Sequence, residues 1–339
     1  MTMNSLANRR ILVTGSAGFI GFHTARRLLD AGAQVLGIDN FTPYYDVSLK
    51  EARNAILAGY PGFALSRISI DDAAALGETW RGFAPDAVIH LAAQPGVRYS
   101  IDHPAEYIAT NVVGTFNLLE LARHHPVRHF LAASTSSIYG ANTDMPFGEM
   151  QRTQTPMSLY AATKGATELI GHSYSHLYGI PLTFFRFFTV YGPWGRPDMA
   201  PFKFVRAVLN DQPIDVYNNG EMARDFTFVD DLVVSIADLV NVVPGSEPVA
   251  AHDSLSPVAP FRVVNIGGGT QTPLMTFIAA IEAATGREAR KNFLPMQPGD
   301  VHATEASPAL LRTLIGSAPA TPVDAGVGAF TDWYREYYS

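Results

Sequence analysis

Short apolar runs alternate with helical patterns through the first half of the chain. A short apolar run bounded by turn residues is typical of a strand buried on both faces, and parallel strands of this kind are connected by helices in right-handed crossovers. The pattern predicts a parallel sheet with strands at 11–14, 34–39, 63–70, 87–91, 129–133 and 182–187.

The later part of the chain has a looser pattern. Two long helices are predicted at 103–125 and 158–178, but 189–224 and the stretch after 268 are rich in Pro, Gly and short elements. A chain of 339 residues is long for a single core. We therefore expect an α/β protein with a doubly wound parallel sheet from 1–188 plus 226–268, and a smaller α/β lobe from 189–225 plus 269–339.

Composition excludes several classes of protein. A net charge of −7 and a pI near 5.8 argue against nucleic-acid binding, and no basic block indicates a membrane surface. No apolar run reaches transmembrane length, and the first ten residues lack a hydrophobic signal core, so we expect a cytoplasmic protein. Cysteine is absent, which excludes disulfides and thiolate catalysis. His124, His125 and His129 lack a clear ligand geometry, and we predict no metal site.

Three glycines separate the first predicted strand from a helix. Gly15, Gly18 and Gly21 follow the strand at intervals of three, in the sequence TGSAGFIG. Glycines let the backbone approach a pyrophosphate closely, and the helix N-terminus that follows favours the negative charge. An ordinary glycine turn would look similar, but a second buried strand ends in Asp39, whose carboxylate can bind ribose hydroxyls and would repel a 2′-phosphate. The sequence predicts a Rossmann-type site for NAD rather than NADP.

Tyr160 and Lys164 stand four residues apart on a predicted helix and therefore share one face. A free Tyr has a pKa of about 10, and a neighbouring ammonium favours the phenolate and lowers that pKa. Such a Tyr can exchange a proton with a substrate hydroxyl beside a nicotinamide ring. An exposed Tyr with a solvated Lys is common at this spacing, so the glycine turn upstream is what favours the catalytic interpretation.

Four hydroxyl residues at 134–137 follow the strand predicted at 129–133. Open α/β sheets bind ligands at the carboxyl ends of their strands, and one of these hydroxyls can polarise a substrate oxygen beside Tyr160. A polar turn or a helix cap would explain the same residues.

The chain resembles the extended short-chain dehydrogenase/reductase superfamily and, within it, the UDP-glucuronate 4-epimerase family. The runs that carry the resemblance extend over nearly the whole chain: YYDV at 44–47, LAAQ at 91–94, GVRYS at 96–100, SLYAATK at 158–164, RFFTVYGPWGRPDM at 186–199 and QPGDV at 297–301. The resemblance implies NAD-dependent interconversion of UDP-glucuronate and UDP-galacturonate through a 4-keto sugar. It also implies a homodimer that pairs the helices at 103–125 and 158–178.

The resemblance further implies roles for individual residues. Thr135 takes the hydroxyl position of a catalytic triad, with Tyr160 as the base and Lys164 beside it. The cofactor would contact Gly15, Gly18, Phe19, Ile20, Gly21, Asp39, Asn40, Ile70, Leu91, Ala92, Ala93, Gln94, Asn111, Tyr160, Lys164 and Phe187. The UDP-sugar would contact Arg98, Ser136, Ser137, Thr189, Arg196, Tyr217, Arg224 and Asp300.

The residues after Thr135 bear on the choice of reaction. Related dehydratases present Asp-Glu at the next two positions and decarboxylases present Glu at the second, whereas this chain has Ser136 and Ser137. The absence of a carboxyl acid favours epimerisation, and UDP-glucose 4-epimerase, a UDP-sugar decarboxylase and a catalytically silent dinucleotide sensor are the alternatives. Two departures from the family pattern stand out: Ser69, where an Asp is expected at the adenine, and Pro201, where a Leu is expected.

Overall fold

A computed structural model describes residues 6–297 and 300–339. Seven strands form one entirely parallel sheet in the order β3-β2-β1-β4-β5-β6-β10, with two smaller sheets, β7-β9-β11 and β8-β12, beside it. The strands are β1 Arg10–Thr14, β2 Gln34–Ile38, β3 Phe63–Ser66, β4 Ala87–His90, β5 His129–Thr135, β6 Leu182–Phe187, β7 Thr189–Tyr191, β8 Ile214–Tyr217, β9 Ala223–Phe228, β10 Phe261–Ile266, β11 Gln271–Pro273 and β12 Lys291–Leu294. The Rossmann-type fold class predicted from the sequence is confirmed.

Helices cover both faces of the large sheet. They are α1 Phe19–Asp30, α2 Val47–Ala58, α3 Ala73–Phe83, α4 Tyr99–Asp102, α5 Pro104–Tyr107, α6 Gly114–His124, α7 Leu159–Tyr178, α8 Ala200–Leu209, α9 Val229–Leu239, α10 Leu274–Thr285, α11 Ala309–Ile315 and α12 Val323–Tyr338. Two 3₁₀ turns, Ser136–Tyr139 and Asn218–Gly220, and a π-helical segment, Ile108–Val113, complete the described regular structure.

Several boundaries differ from the sequence prediction. The segment predicted as a helix at 103–125 is helical from Pro104 to His124, but its winding changes: Ile108–Val113 is a π-helical segment between α5 and α6. Proline favours the first turn of a helix and cannot continue one from before it. β3 ends at Ser66, which leaves Ser69 and Ile70 in the connection that follows.

Two hydrophobic clusters sandwich the large sheet, and a third lies between α8, α10 and α12. The inner strand β5, which lies between β4 and β6, is buried along its whole length, as the apolar run predicts. Leu310 and Leu311 of α11 join the cluster between the large sheet and α1, so the chain returns to that sheet after residue 269. The division into two lobes stays a prediction. Within the described residues, no helix is both long enough and apolar enough to cross a membrane.

Candidate active site

A cavity of about 410 Å³ opens at the carboxyl edge of the large sheet. The strand order reverses between β1 and β4, and a crevice forms at such a switch point because neighbouring connections leave the sheet on opposite faces. The cavity is lined by the glycine turn after β1, the ends of β2 and β4, and the end of β5 with the start of α7. Its size is in the range of small-molecule sites.

The turn between β1 and α1 has no room for side chains. Gly15 has a φ of +71°, and a Cβ there would come within 2.8 Å of the Ala92 nitrogen. A Cβ at Gly21 would overlap the Gly15 carbonyl oxygen, so the turn needs glycine at both positions. No side chain caps the first turn of α1 after Gly18, which leaves its N-terminus open to an anion. The arrangement fits the pyrophosphate of a dinucleotide.

Asp39 follows β2 and lines the same cavity. Its Oδ2 accepts the Ala17 N–H at 3.0 Å and its Oδ1 accepts the Phe41 N–H at 2.8 Å. The carboxylate is thus oriented by the main chain and keeps further lone pairs for ribose hydroxyls. Asn40 donates to Ser69 Oγ at 3.2 Å, so the serine that replaces the expected Asp stands beside a predicted cofactor residue.

The segment after β4 is held in place by a chain of hydrogen bonds that runs through Thr14, His90 and Thr115. Thr14 Oγ1 accepts the N–H groups of Leu91 and Ala92, both at 3.1 Å, so its own proton goes to His90 Nδ1 at 2.8 Å. The Nε2–H of that His90 tautomer then donates to Thr115 Oγ1 at 3.0 Å. Burial lowers the pKa of His90 to about 3, which keeps the ring neutral as this chain requires.

Asn111 supports the same segment and does not itself line the cavity. Its Oδ1 accepts the Gln94 N–H at 2.8 Å, and its Nδ2 donates to the Gln94 carbonyl and to Thr163 Oγ1, both at 3.1 Å. The residue lies in the π-helical segment, which turns its side chain toward α7. Asn111 therefore joins the cofactor-facing segment to the helix that carries Tyr160.

The Thr135 and Tyr160 side chains both line the cavity, and the Thr135 hydroxyl is close enough to affect the pKa of Tyr160. Thr135 ends β5, and its Oγ1 accepts the Ser137 N–H at 3.1 Å, so its hydroxyl proton is available to Tyr160. Ser158 caps α7 by accepting the Ala161 N–H, which fixes where the helix starts and hence where Tyr160 points. Lys164 follows one turn later, is 2 % exposed and also lines the cavity.

Burial has the largest effect on the pKa values of Lys164 and Tyr160. It lowers the pKa of Lys164 to about 8, against the opposing effect of the Glu168 carboxylate. It also raises the pKa of Tyr160, although the Thr135 hydrogen bond and the Arg196 charge act in the other direction. The expectation of a Tyr160 pKa below the ordinary value is wrong for the protein alone, because the loss of solvation outweighs the stabilisation of the phenolate.

Arg196 lies in the loop after β7 and lines the cavity. Its guanidinium forms an ion pair with Asp198. Its Nε and one terminal nitrogen donate to the two oxygens of Asp198 at 3.0 and 2.5 Å, and Tyr44 donates to the same carboxylate at 3.1 Å. Burial opposes ionisation of Asp198, yet the guanidinium holds its pKa below the ordinary value. Arg196 is therefore a fixed cation whose charge Asp198 already balances.

Four predicted substrate residues form a second group outside the cavity. Arg98 pairs with Asp300 at 3.0 Å and lies 4.9 Å above the Tyr217 ring. Arg224 donates to the carbonyls of Ala223 and His302, and burial lowers its pKa. The fold thus brings Arg98, Tyr217 and Asp300 into contact although they are far apart in sequence, and neither these three nor Arg224 is in the cavity lining.

The predicted hydroxyl residues Ser136, Ser137 and Thr189 are not in the cavity lining but lie next to residues that are. Ser136 and Ser137 are half-buried in the 3₁₀ turn that follows Thr135. Thr189 stands between Phe188 and Val190, which both line the cavity. The predicted residues found in the lining are Gly15, Gly18, Phe19, Ile20, Gly21, Asp39, Asn40, Ile70, Leu91, Ala92, Ala93, Gln94, Thr135, Tyr160, Lys164, Phe187 and Arg196.

Sequence analysis missed other residues of the lining, among them Thr42, Tyr44, Lys50, Asp198 and Met199. Lys50 is 6 % exposed and donates to the carbonyl and the hydroxyl of Thr42 at 2.9 and 3.1 Å. Tyr44 lies in the YYDV run at 44–47, and Asp198 and Met199 end the run at 186–199. Both runs carry the family resemblance, so these three residues could have been predicted from the sequence.

No metal centre was found in the described part of the chain, where no group of three or more His, Asp or Glu side chains could hold an ion. His129 is buried in β5, between the Val240 carbonyl and Thr183 Oγ1. His124 lies on the surface beside Glu120.

Comparison with known proteins identifies the class. Residues 11–242 match the family described as "NAD dependent epimerase/dehydratase family". The chain belongs to this family, as its glycine turn, cavity and Thr-Tyr-Lys arrangement indicate.

Relatives named for a particular activity are found within that family. The chain is 55% identical over 333 residues to a probable UDP-glucuronate 4-epimerase of Rhizobium meliloti (strain 1021), covering 97% of this chain and 98% of that protein. It matches the crystal structure of UDP-glucuronic acid 4-epimerase from Bacillus cereus in complex with UDP-glucuronic acid and NAD, with a TM-score of 0.87, 33% identity and coverage of 97% and 100%. A UDP-glucose 4-epimerase structure from Thermotoga maritima matches with a TM-score of 0.84 and 26% identity, covering 97% and 100%. The predicted family is confirmed.

Proposed function

We propose that the protein is an NAD-dependent UDP-glucuronate 4-epimerase, which interconverts UDP-glucuronate and UDP-galacturonate. The observation that carries the proposal is that Thr135, Tyr160 and Lys164 line the same cavity as the glycine turn and Asp39, with Lys164 one helical turn from Tyr160. Two of the relatives named above, at 55% and 33% identity, are a probable UDP-glucuronate 4-epimerase and a UDP-glucuronic acid 4-epimerase.

The site residues divide the chemistry among them. NAD, when bound, supplies the acceptor and donor of hydride for C4 of the sugar. Tyr160 takes the proton of the sugar's O4 hydroxyl and later returns it. Thr135 donates a hydrogen bond that stabilises the phenolate oxygen of Tyr160, and the Lys164 ammonium contributes positive charge in a buried site, where charges interact strongly.

The substrate carboxylate decides between epimerisation and loss of CO₂. A 4-keto uronic acid is a β-keto acid, so the enzyme must hold its carboxylate in a geometry that disfavours decarboxylation while the ring turns over. Ser136, Ser137 and Thr189 are neutral donors next to the lining residues Thr135, Phe188 and Val190, and a carboxylic acid that could protonate an enolate is absent from positions 136 and 137. Arg196 lines the same cavity and is held in place by Asp198, which balances its charge.

The surface around α6 and α7 supports a homodimer. α6 packs against α7, and apolar side chains remain exposed along both helices and the segments that lead into them. Exposed apolar patches of this kind favour protein–protein contact. The exposed side chains are Ile101, Ile108, Val113, Phe116, Leu169, Leu177 and Tyr178. With an acidic chain, a nucleotide-sugar substrate and a dinucleotide cofactor, we assign the enzyme to the cytoplasm.

The test is product analysis by NMR after incubation of the purified protein with UDP-glucuronate, without added cofactor. We expect a mixture of UDP-glucuronate and UDP-galacturonate with little CO₂, and slow turnover of UDP-glucose. A UDP-pentose as main product, or equal turnover of UDP-glucose, would contradict the assignment of substrate and reaction.

A further inference from the structure

A buried carboxylate lies directly behind the catalytic group, on the same helix. Glu168 is one turn beyond Lys164 and two turns beyond Tyr160, so the three side chains share one face of α7. It is 7 % exposed, does not line the cavity, and is not among the residues predicted from the sequence.

Glu168 joins three elements that end at the site. Its Oε1 accepts the Ser134 hydroxyl at 2.5 Å, and Ser134 directly precedes Thr135 at the end of β5. Arg186 of β6 donates to both carboxylate oxygens, at 3.1 and 2.7 Å, and directly precedes Phe187 of the cavity wall. The carboxylate thereby sets α7 against the ends of β5 and β6.

The hydrogen-bond network of Glu168 and Arg186 extends further from the site. Glu168 is its member nearest to Lys164. Arg186 also donates to the Tyr139 hydroxyl at 3.0 Å and to the Glu149 carbonyl at 2.9 Å. The Glu149 carboxylate accepts the Asn265 N–H at 2.9 Å, far along the chain from α7. Glu149 is therefore a buried carboxylate of the same network that is not among the groups affecting the pKa of Lys164.

We propose that Glu168 is a positioning residue of the epimerase reaction: it fixes Thr135 and Lys164 relative to each other and supplies the negative charge that faces the Lys164 ammonium. The inference rests on the proposed function. The titratable groups that face Lys164 are Glu168 and Tyr160 of α7 and His90 of β4, and His90 is neutral. Glu168 is the group that opposes the effect of burial on the pKa of Lys164, so its charge keeps the ammonium protonated at neutral pH.

The test compares kcat as a function of pH for the wild type, Glu168→Gln and Glu149→Gln. Activity that needs the Lys164 ammonium falls as pH rises through the pKa of Lys164. Glu168→Gln removes the charge that raises this pKa, so we expect the alkaline limb to move to lower pH by about one unit, which is about a tenfold loss of kcat on that limb. Glu149→Gln makes the same chemical change in the same network and is expected to leave the limb in place.

Glu168→Gln also leaves the buried Arg186 without a counter-ion, which can prevent folding. The double variant Glu168→Gln/Arg186→Met removes both charges and is expected to show the same shift of the alkaline limb. An unshifted limb in the folded variant, or an equal shift in Glu149→Gln, would overturn the role of Glu168. A wild type without epimerase activity would instead contradict the proposed function.

Discussion

Asp39 accepts the main-chain N–H of Ala17 at 3.0 Å, so the carboxylate at the end of β2 is bonded to the glycine turn that follows β1. Two strands that are adjacent in the sheet but separate in sequence thereby present one joined surface to the cofactor. An acidic residue suits position 39 because its carboxylate orders the glycine turn and still has lone pairs for ribose hydroxyls.

We expect NAD⁺ to bind about 10²-fold more tightly than NADP⁺, because a 2′-phosphate would face the Asp39 carboxylate. Asp39→Asn keeps the shape of the side chain and removes the charge, so the ratio of the NAD⁺ affinity to the NADP⁺ affinity should decrease. Titration of the cofactor-free protein with each dinucleotide measures both effects. Equal affinity of the wild type for the two would refute the role of Asp39.

Tyr160→Phe should leave the fold and NAD binding intact while turnover falls by about 10²–10⁴-fold, because only the proton path through the phenol is removed. Thr135→Val should have a smaller effect in the same direction, since it removes the hydrogen bond that stabilises the phenolate. Steady-state rates with NAD affinity measured in parallel provide the check. Substantial turnover by Tyr160→Phe would exclude Tyr160 as the base.

Gly21→Ala should abolish NAD binding or folding, because its Cβ would overlap the Gly15 carbonyl oxygen. Gly82→Ala is the matched control: it lies in α3 with open space around the added Cβ, and Ala there is worth about 0.5–1 kcal/mol of added helix stability. Thermal unfolding with and without NAD separates the two variants. A Gly21→Ala protein that still binds NAD with normal affinity would mean that the turn is looser than described.

As pH falls, the free energy of unfolding should decrease at mildly acidic pH, above the range in which the carboxylates become protonated. Burial lowers the pKa of His90 to about 3 and of His129 to about 4, while the unfolded chain protonates both near their ordinary value of 6.5. The stabilisation is therefore fully present above about pH 6.5 and is lost as pH falls toward the folded-state values. Burial lowers the pKa of His23 to about 3 as well, so three protons are bound only on unfolding, which corresponds to about 4 kcal/mol per pH unit.

Urea unfolding between pH 7 and pH 5 measures that slope. His129→Gln should reduce it by roughly one proton, whereas His124→Gln, at an exposed surface position, should leave it unchanged. An equal slope in the wild type and His129→Gln would show that His129 is not the source.

The proposed homodimer is tested at its most exposed apolar side chain. Leu169 on α7 is 76% exposed, and Leu169→Asp should shift the protein to monomers because a carboxylate would be buried in the interface. Met150→Asp is the control, since Met150 is 74% exposed and lies outside α6 and α7. Light scattering after size-exclusion chromatography distinguishes the states. A Leu169→Asp dimer would exclude this face as the interface.

The parts of the site that sequence could predict are those whose contacts are local. Gly15 and Gly21 lie in one short turn, and Tyr160 and Lys164 are one helical turn apart, so spacing alone relates each pair. The Tyr44–Asp198 hydrogen bond and the Glu168–Arg186 pair join separate elements, and only the fold reveals them. The π-helical segment around Asn111 was also unpredictable, because its side-chain pattern matches that of an α-helix.

The most direct test of the account is the fate of a label on the reacting carbon. UDP-glucuronate with deuterium at C4 should be converted, with no added cofactor, to UDP-galacturonate that retains the deuterium at C4, because the hydride is held by the bound NAD and returned to the same carbon. Proton NMR of the product at C4 reads the outcome. Retained deuterium supports epimerisation by oxidation and reduction at C4, with Tyr160 moving only the hydroxyl proton. Hydrogen from solvent at C4 would contradict it.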